Sequence, residues 1–180
     1  QIPGRDKLQG QIHGYTLIEL LVTLAVFSIL ALNVFPNFSA LLAQERSIVL
    51  TNNLAGALAY ARSESVTKNI MIITCQSNNG SECSRSGNWH NGWIIFTDNN
   101  NNKQREAEET LLRVYPSANN GTQAIFNGAL NRDHYLQYKP SGQVYPNGSF
   151  LISNPNICIC KALIITQSDR LRLNKYQYDV

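Results

Sequence analysis

Histidine is scarce in this 180-residue chain, and the three present, His13, His90 and His134, stand far apart. No Ser/His/Asp set or Cys/His pair occurs at local spacing, so nothing marks a nucleophilic active site. A glycine-rich loop that could cradle phosphates is also missing. The four cysteines lack the C-x-x-C spacing of a zinc site. Asp98 and the asparagines at 99–102 form an oxygen-rich run. It lacks the alternating carboxylates and bidentate glutamate of an EF-hand, which leaves a solvated hairpin turn as the expectation. Glu106, Glu108 and Glu109 read as surface charge. No internal repeat is present. These absences argue against an enzyme, and no cofactor or metal is expected.

Charge is also nearly absent from one stretch. Between Tyr15 and Phe35 there is a single charged residue, Glu19, in 21 positions. A helix of that length rises about 30 Å, enough to cross the hydrocarbon core of a bilayer. Leu17, Ile18, Leu20, Leu21, Val22, Leu24, Val26, Phe27, Ile29, Leu30 and Leu32 leave no polar face, so the helix belongs in lipid or in protein. A carboxylate there is costly and marks function. The bland alternative is that it snorkels to the interface. Arg5 and Lys7, against Asp6 alone, predict that residues 1–14 stay cytoplasmic and that the chain beyond the helix is exported. A conventional signal peptide would need a small-x-small site after the apolar run. The candidates after Ala40 and Ala43 carry Phe38 and Leu41 at the minus-three position, a poor fit. The chain begins at Gln1 rather than Met, so an incomplete or altered leader is expected.

Gly14 followed by Y-T-L-I-E resembles the processing site of type IV pilins and type II secretion pseudopilins. The resemblance implies cleavage after Gly14 by a prepilin peptidase and N-methylation of Tyr15. Pro36 falls twenty-one residues after Tyr15, where pilins usually carry a proline. Glu19 would then pair with the freed ammonium of Tyr15 on a neighbouring subunit during assembly, each charge offsetting the cost of holding the other in lipid. The implied organisation is a leader at 1–14, a transmembrane and assembly half-helix at 15–36, and a periplasmic domain at 37–180 that includes the second half of the helix.

Residues 38–68 contain no proline and predict that the helix continues to about Thr67, on the order of 80 Å in all, bent at Pro36. Leu41, Leu42, Val49, Leu54, Leu58 and Ala61 form a rough amphipathic stripe, with Gln44, Glu45, Arg46, Thr51, Asn52 and Asn53 on other faces. The alanine-rich run 55–61 suits close packing on a sheet. Glu64 and Lys68 are spaced as an i,i+4 pair. Beyond Lys68 the pattern switches to short β-type runs at 70–75, 93–97, 110–115, 123–127, 134–139, 149–153, 159–166 and 170–173. The fold class is α+β: one long N-terminal helix packed on a mostly antiparallel β-sheet domain. Trp93 is expected in the core and Trp89 as a cap on the loop before it. N-G-W-I-I-F-T-D at 91–98, L-L-R-V at 111–114, Y-K-P-S-G-Q-V at 138–144 and A-L-I-I-T-Q-S-D-R-L-R at 162–172 look like the H-type pseudopilins and FimT/FimU minor pilins.

Cys75 and Cys83 flank a seven-residue polar loop whose glycine permits a tight return, and a disulfide is the favoured reading. Cys158 and Cys160 would share a strand face near the upper limit for bridging, so they pair only if the strand bulges. Some FimT members use a basic end, Gly-Arg-x-Arg, to bind DNA during transformation. The matching residues here are Asp169, Arg170, Leu171 and Arg172, with Lys161 and Lys175 adding charge. The alternative is an ordinary charged edge strand that discourages aggregation. The partners implied are other pilins or pseudopilins, prepilin peptidase, the inner membrane and, on the second reading, DNA.

Overall fold

The computed structural model describes residues 14–86, 88–117, 121–129, 133–154, 157–168 and 171–177, with the side chains of 32–37, 157–160 and 175–177 outside the description. The chain divides into two units, Gln1–Ser39 and Ala40–Val180, and one helix, α1 (Leu17–Lys68), contributes to both. In the first unit every described side chain from Gly14 to Leu30 is exposed. Among the described residues no helix is long and apolar enough to cross a membrane. The expected bend at Pro36 falls within 32–37 and so lies outside the described side chains.

In the second unit α1 buries Ala43, Ser47, Leu50, Thr51, Leu54, Ala57, Leu58, Ala61 and Ser65. These recur at three, four and seven, a true helical stripe. It differs from the expected one. Leu41, Leu42 and Val49 are exposed, while Thr51, assigned to another face, is buried. The hydroxyls explain how polar residues enter the stripe. Ser47 Oγ donates to the Ala43 carbonyl at 3.1 Å and Thr51 Oγ1 to the Ser47 carbonyl at 2.6 Å, so neither carries an unmet donor into the core. The helix ends where Asn69 takes a left-handed φ of 55° and the Ile70 amide reaches back to the Ser65 carbonyl. In the last turns Lys68 meets Glu64 at 2.7 Å, as their spacing predicts, and that hydrogen bond raises the lysine's pKa above its ordinary value.

Nine strands follow among the described residues: β1 (Ile72–Gln76), β2 (Gly92–Thr97), β3 (Leu111–Pro116), β4 (Gln123–Gly128), β5 (Tyr135–Tyr138), β6 (Val144–Tyr145), β7 (Gly148–Asn154), β8 (Ile157–Ile165) and β9 (Leu171–Gln177). They form two sheets, β3-β2-β1-β5-β6 and β4-β7-β8-β9, with every pairing antiparallel. Both sheets and α1 share one core. Leu54, Ala57, Leu58 and Ala61 meet Ile72, Ile95, Leu136 and Tyr138 of the first sheet and Phe126, Phe150, Ile152 and Leu163 of the second. Trp89 is fully buried between them rather than capping a loop. Its ring sits edge-on to Phe150 at 4.9 Å, and its indole N–H donates to the Asp133 carbonyl at 2.8 Å.

Burial patterns follow the sequence. Strands β4 and β7 alternate: Ala124, Phe126, Phe150 and Ile152 point inward, while Ile125 and Leu151 sit directly opposite one another on the outer face. By contrast, β1 and β2 are buried on both faces, because a second cluster of Ile73, Cys75, Ile94, Phe96 and Tyr135 lies on the far side of the first sheet. That is why their sequences read as unbroken apolar runs. At Gly148 a side chain would collide with the Asn127 carbonyl and the Phe126 ring, so only glycine lets β7 approach β4 so closely. The alternation in β7 yields a direct test. Phe150→Ala should cost about 3–5 kcal/mol of unfolding free energy, whereas Leu151→Ala, 40% exposed in the native chain, should cost about 1 kcal/mol or less. Equal losses in urea titrations followed by tryptophan fluorescence would contradict this register.

Candidate functional site

The N-terminal candidates lie at the start of α1. Thr16 precedes the helix and caps it: the Glu19 amide donates to Thr16 Oγ1 at 3.3 Å, and the Leu20 amide to the Thr16 carbonyl at 3.2 Å. Thr-x-x-Glu is the spacing of a capping box, a start signal that the pattern of apolar residues alone does not reveal. Glu19 therefore sits in the first turn, where the helix dipole favours a carboxylate. Gly14 has no heavy atom within 4 Å of where a Cβ would stand, and Tyr15 is exposed, so the bond between them is accessible. Pro36, the other assembly candidate, lies among the residues whose side chains are not described.

Of the basic C-terminal candidates, the two whose side chains are described, Lys161 and Arg172, lie on opposite faces of the second sheet. In the β8–β9 ladder Ile164 stands opposite Arg172 and Lys161 opposite Lys175. Lys161 is an odd number of residues from Ile164, so it faces the side opposite to Arg172. Lys161 is only 4% exposed and is paired with the inward-facing Ile152, which corrects the expectation that it would offer surface charge. Arg172 is exposed. Arg170 and the side chain of Lys175 lie outside the described residues, as does Asp169.

Of the four cysteines, Cys75 and Cys83 form the expected disulfide, with Cα atoms 5.6 Å apart. The side chains of Cys158 and Cys160 are outside the description. The register between β7 and β8 shifts between Ser153 and Asn154, opposite that stretch of β8.

The asparagine-rich loop between β2 and β3 is more ordered than a solvated turn. Asp98 and Glu109 are both buried. Asp98 accepts from the amides of Asn102 at 3.1 Å and Lys103 at 3.3 Å, and Glu109 from those of Asn99 at 3.0 Å and Glu106 at 3.1 Å. Glu109 thus departs from the surface position expected of its charge. Its burial, at 4% exposure, follows from the backbone donors it satisfies. Glu106 accepts from the side-chain amides of Asn100 and Asn102, and Gln137 of β5 donates to Asn101 at 2.6 Å, fastening the loop to the first sheet. Among the described residues no group of three or more His, Cys, Asp or Glu could hold a metal ion.

This loop and the disulfide-closed loop together border a surface cavity of about 610 Å³, lined by Glu82, Cys83, Arg85, Lys103, Arg105 and His134 among others. Arg105 joins the two loops by donating to the Ser81 carbonyl at 3.0 Å. The cavity has no signature in the sequence, because its residues are brought together from three separated segments.

The family described as type II transport protein GspH matches residues 50–171, more than half of the chain. The prokaryotic N-terminal methylation motif matches residues 11–32, which contain Gly14, Tyr15 and Glu19. No curated protein matches in sequence. Two crystal forms of the type IV minor pilin FimU of Pseudomonas aeruginosa are similar in fold. Each is 20% identical and covers 73% of this chain, with TM-scores of 0.53 over 91% and 0.54 over 87% of those chains. The minor pseudopilin EpsH from the type 2 secretion system of Vibrio cholerae aligns at 10% identity over 72% of this chain and 96% of its own, with a TM-score of 0.50. The β-domain match and the N-terminal motif agree with the long helix and two antiparallel sheets: the chain belongs to the GspH family of type II transport proteins.

Proposed function

We propose that this chain is a minor pilin or pseudopilin, a non-enzymatic structural subunit of a type II secretion pseudopilus or type IV pilus. The observation that carries the reading is the contrast between the two parts of α1. From Ala43 onward the helix buries its stripe in a core of its own domain, while from Tyr15 to Leu30 eleven large apolar side chains stand exposed. Each is worth roughly 1.5–3 kcal/mol when fully buried, so leaving them in water costs on the order of 15 kcal/mol or more. In this reading the segment is surrounded by lipid in the precursor and by the helices of other subunits after assembly. The precursor would sit in the inner membrane with the β-domain in the periplasm. Prepilin peptidase would cut after Gly14 and methylate Tyr15, and Glu19 would pair with the new ammonium of a neighbouring subunit. The DNA-contact reading retains Arg172 alone as an exposed candidate among the described residues, and we do not advance it.

Intact-mass and N-terminal peptide analysis of the chain from cells should give a mature N-terminus at methylated Tyr15, and any other N-terminus would sink the processing step. Glu19 also lies in the capping turn, so charge and capping must be separated. Glu19→Gln keeps a side chain suited to the capping box but removes the charge. It should be processed normally yet drop out of sheared filaments as fully as Glu19→Ala does. Normal recovery of Glu19→Gln in filaments would show that the charge pairing is not used.

A further inference from the structure

The cavity between the two loops of the first sheet has a charge pattern that the assembly reading does not use. Arg85, Lys103 and Arg105 line it against one carboxylate, Glu82. His134 also lines it and lies 3.4 Å from the exposed Asp133. Among the described residues none of Arg85, Lys103 and Arg105 is in an ion pair. The acids that would otherwise neutralise them are held elsewhere. Asp98 and Glu109 accept from backbone amides, and Glu106 from asparagine side chains. One nitrogen makes the point at atomic scale. Arg105 Nε is buried and has no hydrogen-bond partner, while the same guanidinium donates from Nη1 to Ser81. The guanidinium has donors beyond the one given to Ser81, and a carboxylate in the cavity can accept from those that line it.

The walls are fixed rather than loose. Cys83 is tied to Cys75 in β1, the Ser84 amide donates to the Gln76 carbonyl at 2.7 Å, and the Gln76 amide donates to the His134 carbonyl at 3.1 Å. A cavity of about 610 Å³ is far larger than one carboxylate or phosphate group and has the size of sites that take several linked groups. Its aromatic component, Tyr135, is nearly buried, so no platform is offered for stacking bases, which disfavours single-stranded nucleic acid. Glu82 and Asp133 at the margin would repel a uniformly anionic surface but can be avoided by a flexible chain with spaced carboxylates.

We propose that this cavity is a docking site for an acidic peptide segment of a protein partner, with carboxylates received by Arg105, Lys103 and Arg85. The inference does not rest on the assembly reading, since it uses no residue of the first unit. The test is fluorescence anisotropy of a labelled hexaglutamate peptide with the full-length chain in detergent, across a salt series. Hexaglutamate should bind and weaken with salt, and hexaglutamine should not bind. Lys103→Gln and Arg105→Gln should each lower affinity by on the order of tenfold, the loss of one charged hydrogen bond. Arg172→Gln, on the other sheet, should leave it unchanged. Arg105→Gln also removes the contact to Ser81. Lys103, whose ammonium meets only the Asn101 carbonyl at 2.8 Å among the described hydrogen bonds, is therefore the variant that decides if Arg105→Gln fails to fold. Equal binding of hexaglutamine, or hexaglutamate binding indifferent to Lys103→Gln, would overturn the proposal. Tighter binding of a thymidine oligonucleotide, with the same dependence on Lys103, would overturn the peptide assignment.

Discussion

The stripe that α1 presents from Ala43 to Ser65 is the contact on which both sheets depend. Its centre is small and apolar, with Ala57 and Ala61 alternating with Leu54 and Leu58, so β-strands can lie close to the helix axis while leucines fill the space between them. The aromatic group of Trp89, Phe126 and Phe150 closes the core on the side of the second sheet, and Trp93 stacked on Tyr115 closes it at the edge of the first. Arg113 lies over the ring of Tyr60 at 3.7 Å and links the edge strand β3 to the helix by its charge as well as by contact. Its hydrogen bond to the Tyr115 hydroxyl holds its pKa above the ordinary value.

The first sheet differs from the second in being covered on both sides, and this shapes the surface available to partners. Ile73, Ile94 and Phe96 would otherwise be wet. The disulfide loop and the asparagine-rich loop shelter them. A loop that covers a sheet must satisfy its own backbone groups, and here Asp98, Glu109 and the asparagine side chains do so. Consuming the acidic groups in this way leaves Arg85, Lys103 and Arg105 facing the gap between the loops. The cationic cavity thus follows from the way this sheet is kept dry.

Much of this is legible in the sequence. The apolar run after Gly14, the switch from helical to alternating periodicity after Lys68, the Cys75–Cys83 pair and eight of the nine strands among the described residues follow from pattern alone, and the two-residue β6 is too short to give a signal. The misses share one cause: residue type is a poor guide to exposure. Ser47 and Thr51 enter the core because an i−4 carbonyl accepts their hydroxyls, while Leu41, Leu42 and Val49 remain outside it. Glu109 is buried because the loop amides of Asn99 and Glu106 need an acceptor, and Lys161 because strand register, not charge, sets its face. Trp89 lies in a short 3₁₀ turn, Trp89–Asn91, whose burial depends on strands β4 and β7 far along the chain.

The chain divides at Ala40: residues from there onward hold the two sheets and their core, and the proposed function gives assembly to the apolar segment before them. The most direct test is to produce residues 40–180 alone in an oxidising compartment and follow their thermal unfolding and their presence in sheared filaments. A cooperative transition with the Cys75–Cys83 bond formed, and absence from filaments, is the predicted result. A segment that aggregates or unfolds without a transition, or one that still enters filaments, would contradict this division of roles.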